Sequence, residues 1–184
     1  GGFSRLMEKI KDENIKTRYV YAGDKFVFKD GVVLKIAGPS KEFIKKTSPG
    51  GTIGERREFA SILSLIEYKK FQVLLTGDSQ ASGLEDALQP FGSGMHQTVR
   101  PSAQGFRIVP VLQVPHHGSK TGLNSVILDL IKPELAVISV GKNNYGHPSA
   151  EILKILSEKD IKILRTDRDG EVEIVSDGKT WEVR

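Results

Sequence analysis

The sequence of 184 residues contains no cysteine, only four histidines, and no apolar run long enough to cross a membrane. The lack of cysteine excludes disulfide bonds and thiolate metal ligands, so a metal ion would have to be held by histidine and carboxylate side chains. A transmembrane helix needs roughly 18 or more consecutive apolar residues. We therefore expect no membrane contact by this chain, and any imidazole chemistry is confined to a few positions.

The length is typical of one domain that spans residues 1–184, and the sequence has no repeat and no low-complexity stretch. Lysine and arginine number 27 and aspartate and glutamate 23, which gives a formal net charge of +4. A mildly basic chain is compatible with a polyanionic partner such as nucleic acid. The basic residues are spread along the whole sequence, however, and the simpler explanation is an ordinary solvated surface.

Hydrophobic periodicity and turn residues predict an α/β chain: a strand-rich first half, then alternating strands and helices, then a closing β meander. The Asp30-Gly31 pair is typical of a hairpin turn, and two stretches rich in glycine, proline and serine, residues 38–55 and 89–105, are predicted loops. Helices are predicted at 3–10, 83–88, 124–131 and 148–158, and strands at 15–22, 25–28, 32–36, 59–68, 71–75, 111–114, 135–140, 161–165, 171–175 and 180–183.

Three of the predicted strands end in polar side chains of the kind that bind metals. His116 and His117 follow the strand at 111–114, His147 follows the next strand, and Asp78 ends an earlier one. Because ligands in open α/β sheets bind outside the carboxyl ends of the strands, we expect these side chains to share one pocket. On an extended chain the two adjacent imidazoles would point to opposite sides.

Neutral imidazole and carboxylate groups suit Zn²⁺ or Mn²⁺, so four residues are candidate metal ligands: Asp78, His116, His117 and His147. His116 and His117 are also the candidate catalytic residues, one binding the metal and the other orienting it or facing the substrate. In a simpler interpretation Asp78 caps a turn and each histidine is a hydrogen-bonded core side chain. These ligands are also fewer than a two-metal site needs.

Polar residues flank the histidines. Ser119 and Lys120 follow the first pair, and Asn143 and Asn144 precede His147. A hydroxyl, an ammonium and two amides beside a metal would bind a phosphate oxygen of a substrate. An ordinary polar turn accounts for the same residues equally well.

Five segments, in order and with similar spacing, resemble the metallo-β-lactamase-fold domain of ComEC-type competence proteins and their stand-alone relatives. They are LTGD at 75–78, VPHHGSK at 114–120, ISVGKNN at 138–144, GHP at 146–148 and LRTDRDG at 164–170. The similarity extends over residues 59–183, roughly two-thirds of the chain.

This resemblance implies a metallo-β-lactamase-like αββα sandwich and a metal-dependent hydrolase. The implied activity is that of a phosphodiesterase or nuclease that cleaves DNA, with single-stranded DNA favoured, by means of metal-activated water. By position Asp78 matches a metal-bridging carboxylate, and the histidine pair and His147 match metal or substrate positions, with their individual roles left open. A stand-alone relative would be cytoplasmic and would act in competence and DNA uptake.

The H-x-H-x-D-H signature of that family is absent from the sequence. In relatives it is followed by Ile-Gly-Gly and a helix, and this sequence opens with Gly1-Gly2-Phe3 and a predicted helix. We therefore expect the chain to hold the C-terminal two-thirds or so of the fold, without its N-terminal strands. An N-terminal fragment or a second copy of the chain would then supply the missing ligands, allow two ions to bind, and cover an exposed sheet edge.

Two other functions fit the same residues. A catalytically inactive module of the same fold would bind nucleic acid or protein through its basic surface. A small-molecule hydrolase, such as a lactonase or thioesterase, would use the same fold, because fold does not fix function. The resemblance favours the phosphodiesterase.

Overall fold

The computed structural model describes residues 2–48, 60–88 and 109–184, so the predicted loop at 89–105 lies outside the described residues. None of the helices in these ranges is both long and apolar enough to cross a membrane. The helices are α1 (Gly2–Asp12), α2 (Lys41–Thr47), α3 (Ala81–Leu88), α4 (Ser125–Ile131), α5 (Ala150–Ser157) and the single turn α6 (Thr166–Asp169). The strands are β1 (Lys25–Val27), β2 (Val32–Gly38), β3 (Leu63–Tyr68), β4 (Phe71–Leu75), β5 (Val111–Gln113), β6 (Leu135–Ile138), β7 (Lys162–Arg165), β8 (Ile174–Ser176) and β9 (Trp181–Val183).

Strands β1 to β7 form one sheet in sequence order. Neighbours from β1 to β4 are antiparallel, and those from β4 to β7 are parallel. Strands β8 and β9 form a separate antiparallel pair. The predicted α/β class is therefore confirmed, with both kinds of strand pairing in the main sheet. The more specific metallo-β-lactamase-like αββα arrangement stays a prediction.

The antiparallel half begins with the hairpin predicted from Asp30-Gly31, which pairs Val27 with Val33. The predicted strand at 15–22 is wrong, because these residues form no ladder within the described chain. Residues 15–19 are all exposed, so neither face of this stretch is buried in the way that the alternating pattern predicts. The short-range bond from the Tyr21 amide to the Asp24 carboxylate turns the chain instead.

The predicted loop at 38–55 contains helix α2, so this prediction is wrong for residues 41–47. Ser40 caps the helix, because its Oγ accepts a hydrogen bond from the Phe43 amide at 3.0 Å. The Asp86 carboxylate of α3 accepts two further bonds from Ser40, from the amide and from the hydroxyl. A contact across 46 residues therefore stabilises a helix start that the local composition obscured.

In the parallel half, buried aliphatic side chains of the strands pack against α3, α4 and α5. Leu112 at the centre of the sheet and Ile127 of α4 are both 0% exposed, so this layer forms the main core. Helix α4 begins at the predicted cap, Asn124, whose Oδ1 accepts from the Ile127 amide. Helix α5 begins at Ala150 with Ser149 as its cap, two residues later than predicted from Pro148.

The predicted closing meander is wrong in its pairing. Strand β7 belongs to the main sheet, and α6 leads the chain away to the β8–β9 pair. This pair is attached to the β3–β4 turn, where the Lys70 amide donates to the Gly178 carbonyl at 2.8 Å. The rings of Phe71 and Trp181 also lie 6.2 Å apart between centroids. Contacts far apart in sequence, rather than turn residues, decided this arrangement.

The edges of the main sheet are β1 and β7. Apolar side chains are exposed near the first edge and on the preceding segment: Leu6, Met7, Ile15, Tyr19, Val27 and Phe28. Within the described residues, β1 and β7 have no further neighbour on their outer sides. The predicted need for a covering partner, an N-terminal fragment or a second copy, stays a prediction.

Candidate functional site

The structure brings the predicted site residues to the carboxyl end of the parallel strands. Asp78 follows β4, the pair His116 and His117 follows β5, and His147 follows β6. The Nε2 atom of His117 lies 3.5 Å from Oδ1 of Asp78. The ring of His116 lies 6.4 Å from that of His117 and 5.7 Å from that of His147, measured between centroids. The three imidazoles and the carboxylate therefore belong to one cluster.

The histidine pair lies in a left-handed turn and not on an extended chain, which corrects the expectation that the rings point to opposite sides. His116 has φ 49° and ψ 45°, and His117 has φ 55° and ψ 23°. Each such residue costs on the order of 1–3 kcal/mol, and strained backbone of this kind is concentrated at functional sites. The His116 amide donates to the Gly77 carbonyl at 2.9 Å, which ties this turn to the one that carries Asp78.

Gly118 ends the turn and has room for no side chain. Its φ is +81°, and an added Cβ would lie 2.5 Å from Cβ of Pro148. The Gly118 carbonyl also accepts a hydrogen bond from the Ser149 amide at 2.9 Å. Glycine is required here because the backbone of the histidine turn touches the loop that carries His147.

The tautomer of neutral His117 is fixed by its partner. Its Nδ1 lies 2.7 Å from the Ser139 carbonyl oxygen at the end of β6. A carbonyl only accepts hydrogen bonds, so Nδ1 carries the proton and Nε2 keeps a lone pair. That lone pair is the one 3.5 Å from the Asp78 carboxylate.

His147 is half-buried and stays neutral more readily than an ordinary histidine. Burial, and then the nearby His116 and His117 imidazoles, lower its pKa below the usual 6.5. The ring of Tyr145, which is 84% exposed, lies 6.0 Å from the His147 ring between centroids. An exposed aromatic surface therefore adjoins the cluster.

Asn143 shapes the loop that presents His147. Its Nδ2 donates to the carbonyls of Gly141 and His147, and its Oδ1 accepts from the amides of Tyr145 and His147. All four hydrogen-bonding positions of the amide are used in this way. The structure thus gives Asn143 a positioning role, and substrate contact by its side chain would require breaking these bonds.

The other predicted substrate residues differ in access. Lys120 and Asn144 are exposed beside the histidines. Ser119 is buried, and its hydroxyl lies 3.1 Å from that of Thr121. Substrate contact by these residues stays a prediction, and Lys120 and Asn144 are the two whose side chains are accessible.

The last of the family-like segments supports the site from β7. The Thr166 hydroxyl donates to the Val140 carbonyl and accepts from its amide, both at 2.8 Å, which fixes the end of β6. Arg165 forms an ion pair with Asp167, and the hydrogen bond from this guanidinium lowers the pKa of that carboxyl. Of these residues, Thr166 positions the segment that leads into the loop before His147.

The donor set fits a divalent cation in part. A carboxylate and an imidazole with an available lone pair are suitable ligands for Zn²⁺ or Mn²⁺. Within residues 2–48, 60–88 and 109–184, however, no group of three or more potential ligands is arranged to hold an ion. Asp78 and His117 therefore make up part of a possible metal site, and metal binding stays a prediction.

Sequence reasoning missed two residues of the site, Gln80 and Ser139. The amide nitrogen of Gln80 lies 3.1 Å from Nδ1 of His116. Ser139 contributes only its backbone carbonyl. No pattern in the sequence could have revealed the carbonyl, and the position of Gln80 two residues after Asp78 was the only available signal.

No family model matches the chain. Similar curated proteins include ComE operon protein 3 of Bacillus subtilis (25% identical over 170 residues), competence protein ComA of Neisseria gonorrhoeae (33% over 99 residues) and recombination protein 2 of Haemophilus influenzae (27% over 128 residues). The alignments cover 92%, 53% and 69% of this chain but only 19%, 13% and 14% of the relatives. The chain is thus similar, at low identity, to less than a fifth of the length of competence and recombination proteins.

Proposed function

We propose that the chain is part of a metal-dependent phosphodiesterase that acts on DNA, with Asp78 and His117 as metal ligands. The observation that carries the proposal is the 3.5 Å approach of the Asp78 carboxylate to Nε2 of His117. With its Nδ1 proton donated to the Ser139 carbonyl, neutral His117 keeps a lone pair on Nε2, the atom that lies 3.5 Å from the carboxylate. Such a pair repels unless a cation or a proton lies between the two atoms, and a divalent cation suits both donors.

A divalent cation bound there would supply Lewis acidity and a water molecule of lowered pKa for phosphodiester hydrolysis. His116 and His147 lie beside the pair and are available to contact the phosphoryl group. The turn at the histidines supports a functional role, because two consecutive non-glycine residues in the left-handed region are costly and such strain is concentrated at functional sites. Further ligands would come from residues outside the described ranges, from an N-terminal fragment, or from a second copy.

DNA is the proposed substrate for two reasons. The relatives are named for competence and recombination, and both processes handle DNA. In addition, each of the strands β5, β6 and β7 is followed by an exposed cation, namely Lys120, Lys142 and Arg168. Cations at the same end of the sheet as the histidines would attract a phosphate backbone toward the cluster.

The test measures Mn²⁺ and Zn²⁺ binding by calorimetry, and cleavage of a single-stranded oligonucleotide, in the purified chain and in two variants. Asp78→Asn and His117→Asn should each lower metal affinity by about tenfold or more and remove cleavage. Asp30→Asn is the matched control, because Asn-Gly forms the same hairpin turn at the opposite end of the sheet. Equal metal affinity in all four proteins would exclude Asp78 and His117 as ligands.

A second candidate is a nucleic-acid-binding module without turnover. It is favoured by the finding that no group of three or more potential ligands is arranged to hold an ion among the described residues. In this case the chain would bind single-stranded DNA with the same affinity in the presence of a chelator as in the presence of a divalent ion. No divalent ion would induce cleavage. Binding that strengthens with Mn²⁺, and is then lost in Asp78→Asn, would favour the phosphodiesterase.

A further inference from the structure

The contact between Gln80 and His116 sets the tautomer of a second histidine. With the amide oriented as in the structure, the NH₂ group of Gln80 lies 3.1 Å from Nδ1 of His116. An NH₂ group only donates, so Nδ1 accepts and carries no proton in the neutral ring. The proton is then on Nε2, which has no hydrogen-bond partner among the described residues.

The two adjacent imidazoles are therefore held in opposite tautomers. His117 donates from Nδ1 to the Ser139 carbonyl and presents a lone pair at Nε2. His116 accepts at Nδ1 from Gln80 and presents an N–H group at Nε2. A lone pair suits a metal ion, whereas an N–H group suits an anionic oxygen and is unsuited to a metal.

Gln80 is well placed to enforce this state. The backbone carbonyl of Gln80 accepts hydrogen bonds from the amides of Gly83 at 2.9 Å and Leu84 at 3.3 Å at the start of α3. The histidine side is fixed by the bond between the His116 amide and the Gly77 carbonyl. Both residues are thus anchored through their backbones, which fixes the positions from which the two side chains approach each other.

We propose that Gln80 is a positioning residue that holds neutral His116 as an Nε2–H donor to an anionic oxygen of the substrate. His117 is then the metal-binding member of the pair, an assignment that the sequence left open. His116 acts through a hydrogen bond alone, so no proton is transferred and no bond to its ring forms or breaks. The substrate part of this inference rests on the proposed function, and the tautomer part stands without it.

The tautomers are measured on the metal-free protein by long-range ¹H–¹⁵N NMR, at about pH 8 so that an ordinary histidine is neutral. In the unmodified chain Nδ1 of His116 and Nε2 of His117 should be pyridine-like, and the other two ring nitrogens pyrrole-like. Gln80→Leu should convert the single tautomer of neutral His116 into a mixture of both tautomers. Gln80→Glu should reverse the tautomer of His116, because a carboxylate only accepts and draws the proton to Nδ1. Ser82→Ala, an exposed position on the same helix, is the control and should change neither ring.

The activity arm uses the same variants with Mn²⁺. Gln80→Leu should lower kcat about tenfold or more while metal affinity stays unchanged, because the Nε2–H group of His116 is no longer held toward the anionic oxygen. A His116 ring that is protonated at Nδ1 in the unmodified chain, or that does not respond to Gln80→Leu, would overturn the inference even if the protein cleaves DNA. The expected tautomers in a protein whose metal affinity is the same in Asp78→Asn and His117→Asn as in the unmodified chain would uphold the role of Gln80 and overturn the proposed function instead.

Discussion

Hydrogen-bond partners, rather than residue type, distinguish the three histidines of the cluster. His117 donates to the Ser139 carbonyl and His116 lies against Gln80, whereas the ring of His147 lies near the rings of His116 and Tyr145. Sequence spacing predicted that these residues would meet, because each follows a strand of the same parallel set. It left their individual roles open, since Gln80 and the Ser139 carbonyl reach them from other segments.

His147 should titrate below its ordinary pKa of 6.5, because burial and the His116 and His117 imidazoles disfavour its charged form. Replacing His116 with Asn removes one of these repulsions, so the His147 pKa should rise toward 6.5. The measurement is a proton NMR titration of the imidazole signals. A His147 midpoint at or above 6.5 in the unmodified chain would contradict the expectation.

The same shift links His147 to stability. Because its pKa is lower in the folded than in the unfolded state, the unfolded chain binds more protons as the pH falls below about 6.5. The contribution of His147 is therefore complete at neutral pH and declines on acidification. The variant His147→Asn lacks this dependence of stability on pH. The difference between it and the unmodified chain therefore separates the effect of His147 from that of the carboxylates, which titrate at lower pH.

At the scale of elements, local patterns predicted the helices and strands whose buried faces follow a regular period. Helix α4 shows the cap, the apolar face and the terminating Pro133 that the sequence predicts. Helix α2 was missed because its start depends on Asp86 of a distant helix. The false strand at 15–22 has suitable residues but no strand to pair with in the described chain.

Helix α4 offers a test of element stability through its cap. Asn124→Ala removes the acceptor for the Ile127 amide and should lower the free energy of unfolding by about 1 kcal/mol. Asn124→Ser keeps a capping oxygen but loses the bond from Asn124 to Glu85, so it should cost only a few tenths of a kcal/mol. Urea denaturation of both variants and of the unmodified chain measures these changes in the free energy of unfolding. Equal losses would mean that the contact with Glu85, and not the cap, stabilises the helix.

At the scale of the whole molecule, the parallel half of the sheet gathers every candidate site residue at one end. The net charge of +4 is small, so affinity for DNA depends on where the cations lie rather than on how many there are. Exposed Lys120 and Lys142 follow the carboxyl ends of β5 and β6, whereas exposed Lys162 begins β7 at the opposite end. These positions provide a matched comparison.

Binding of single-stranded DNA should weaken with salt, and Lys142→Ala should reduce the slope of log K against log salt by about 0.7, the value for one phosphate contact on a single strand. Lys120→Ala should act similarly. Lys162→Ala should leave the slope unchanged, although it alters the net charge by the same amount. Fluorescence anisotropy at several salt concentrations measures all three. Equal slopes for Lys142→Ala and Lys162→Ala would place the DNA elsewhere on the surface.

The sequence by itself determined the α/β class, most strand positions and the residue types that end the parallel strands. These features follow from hydrophobic periodicity and turn chemistry, which act over a few neighbouring residues. Tertiary structure alone decided the left-handed turn at His116 and His117, the close packing of Gly118 on Pro148, and which nitrogen of each imidazole carries the proton. Each of these depends on contacts between segments far apart in the chain, and local sequence patterns do not predict such contacts.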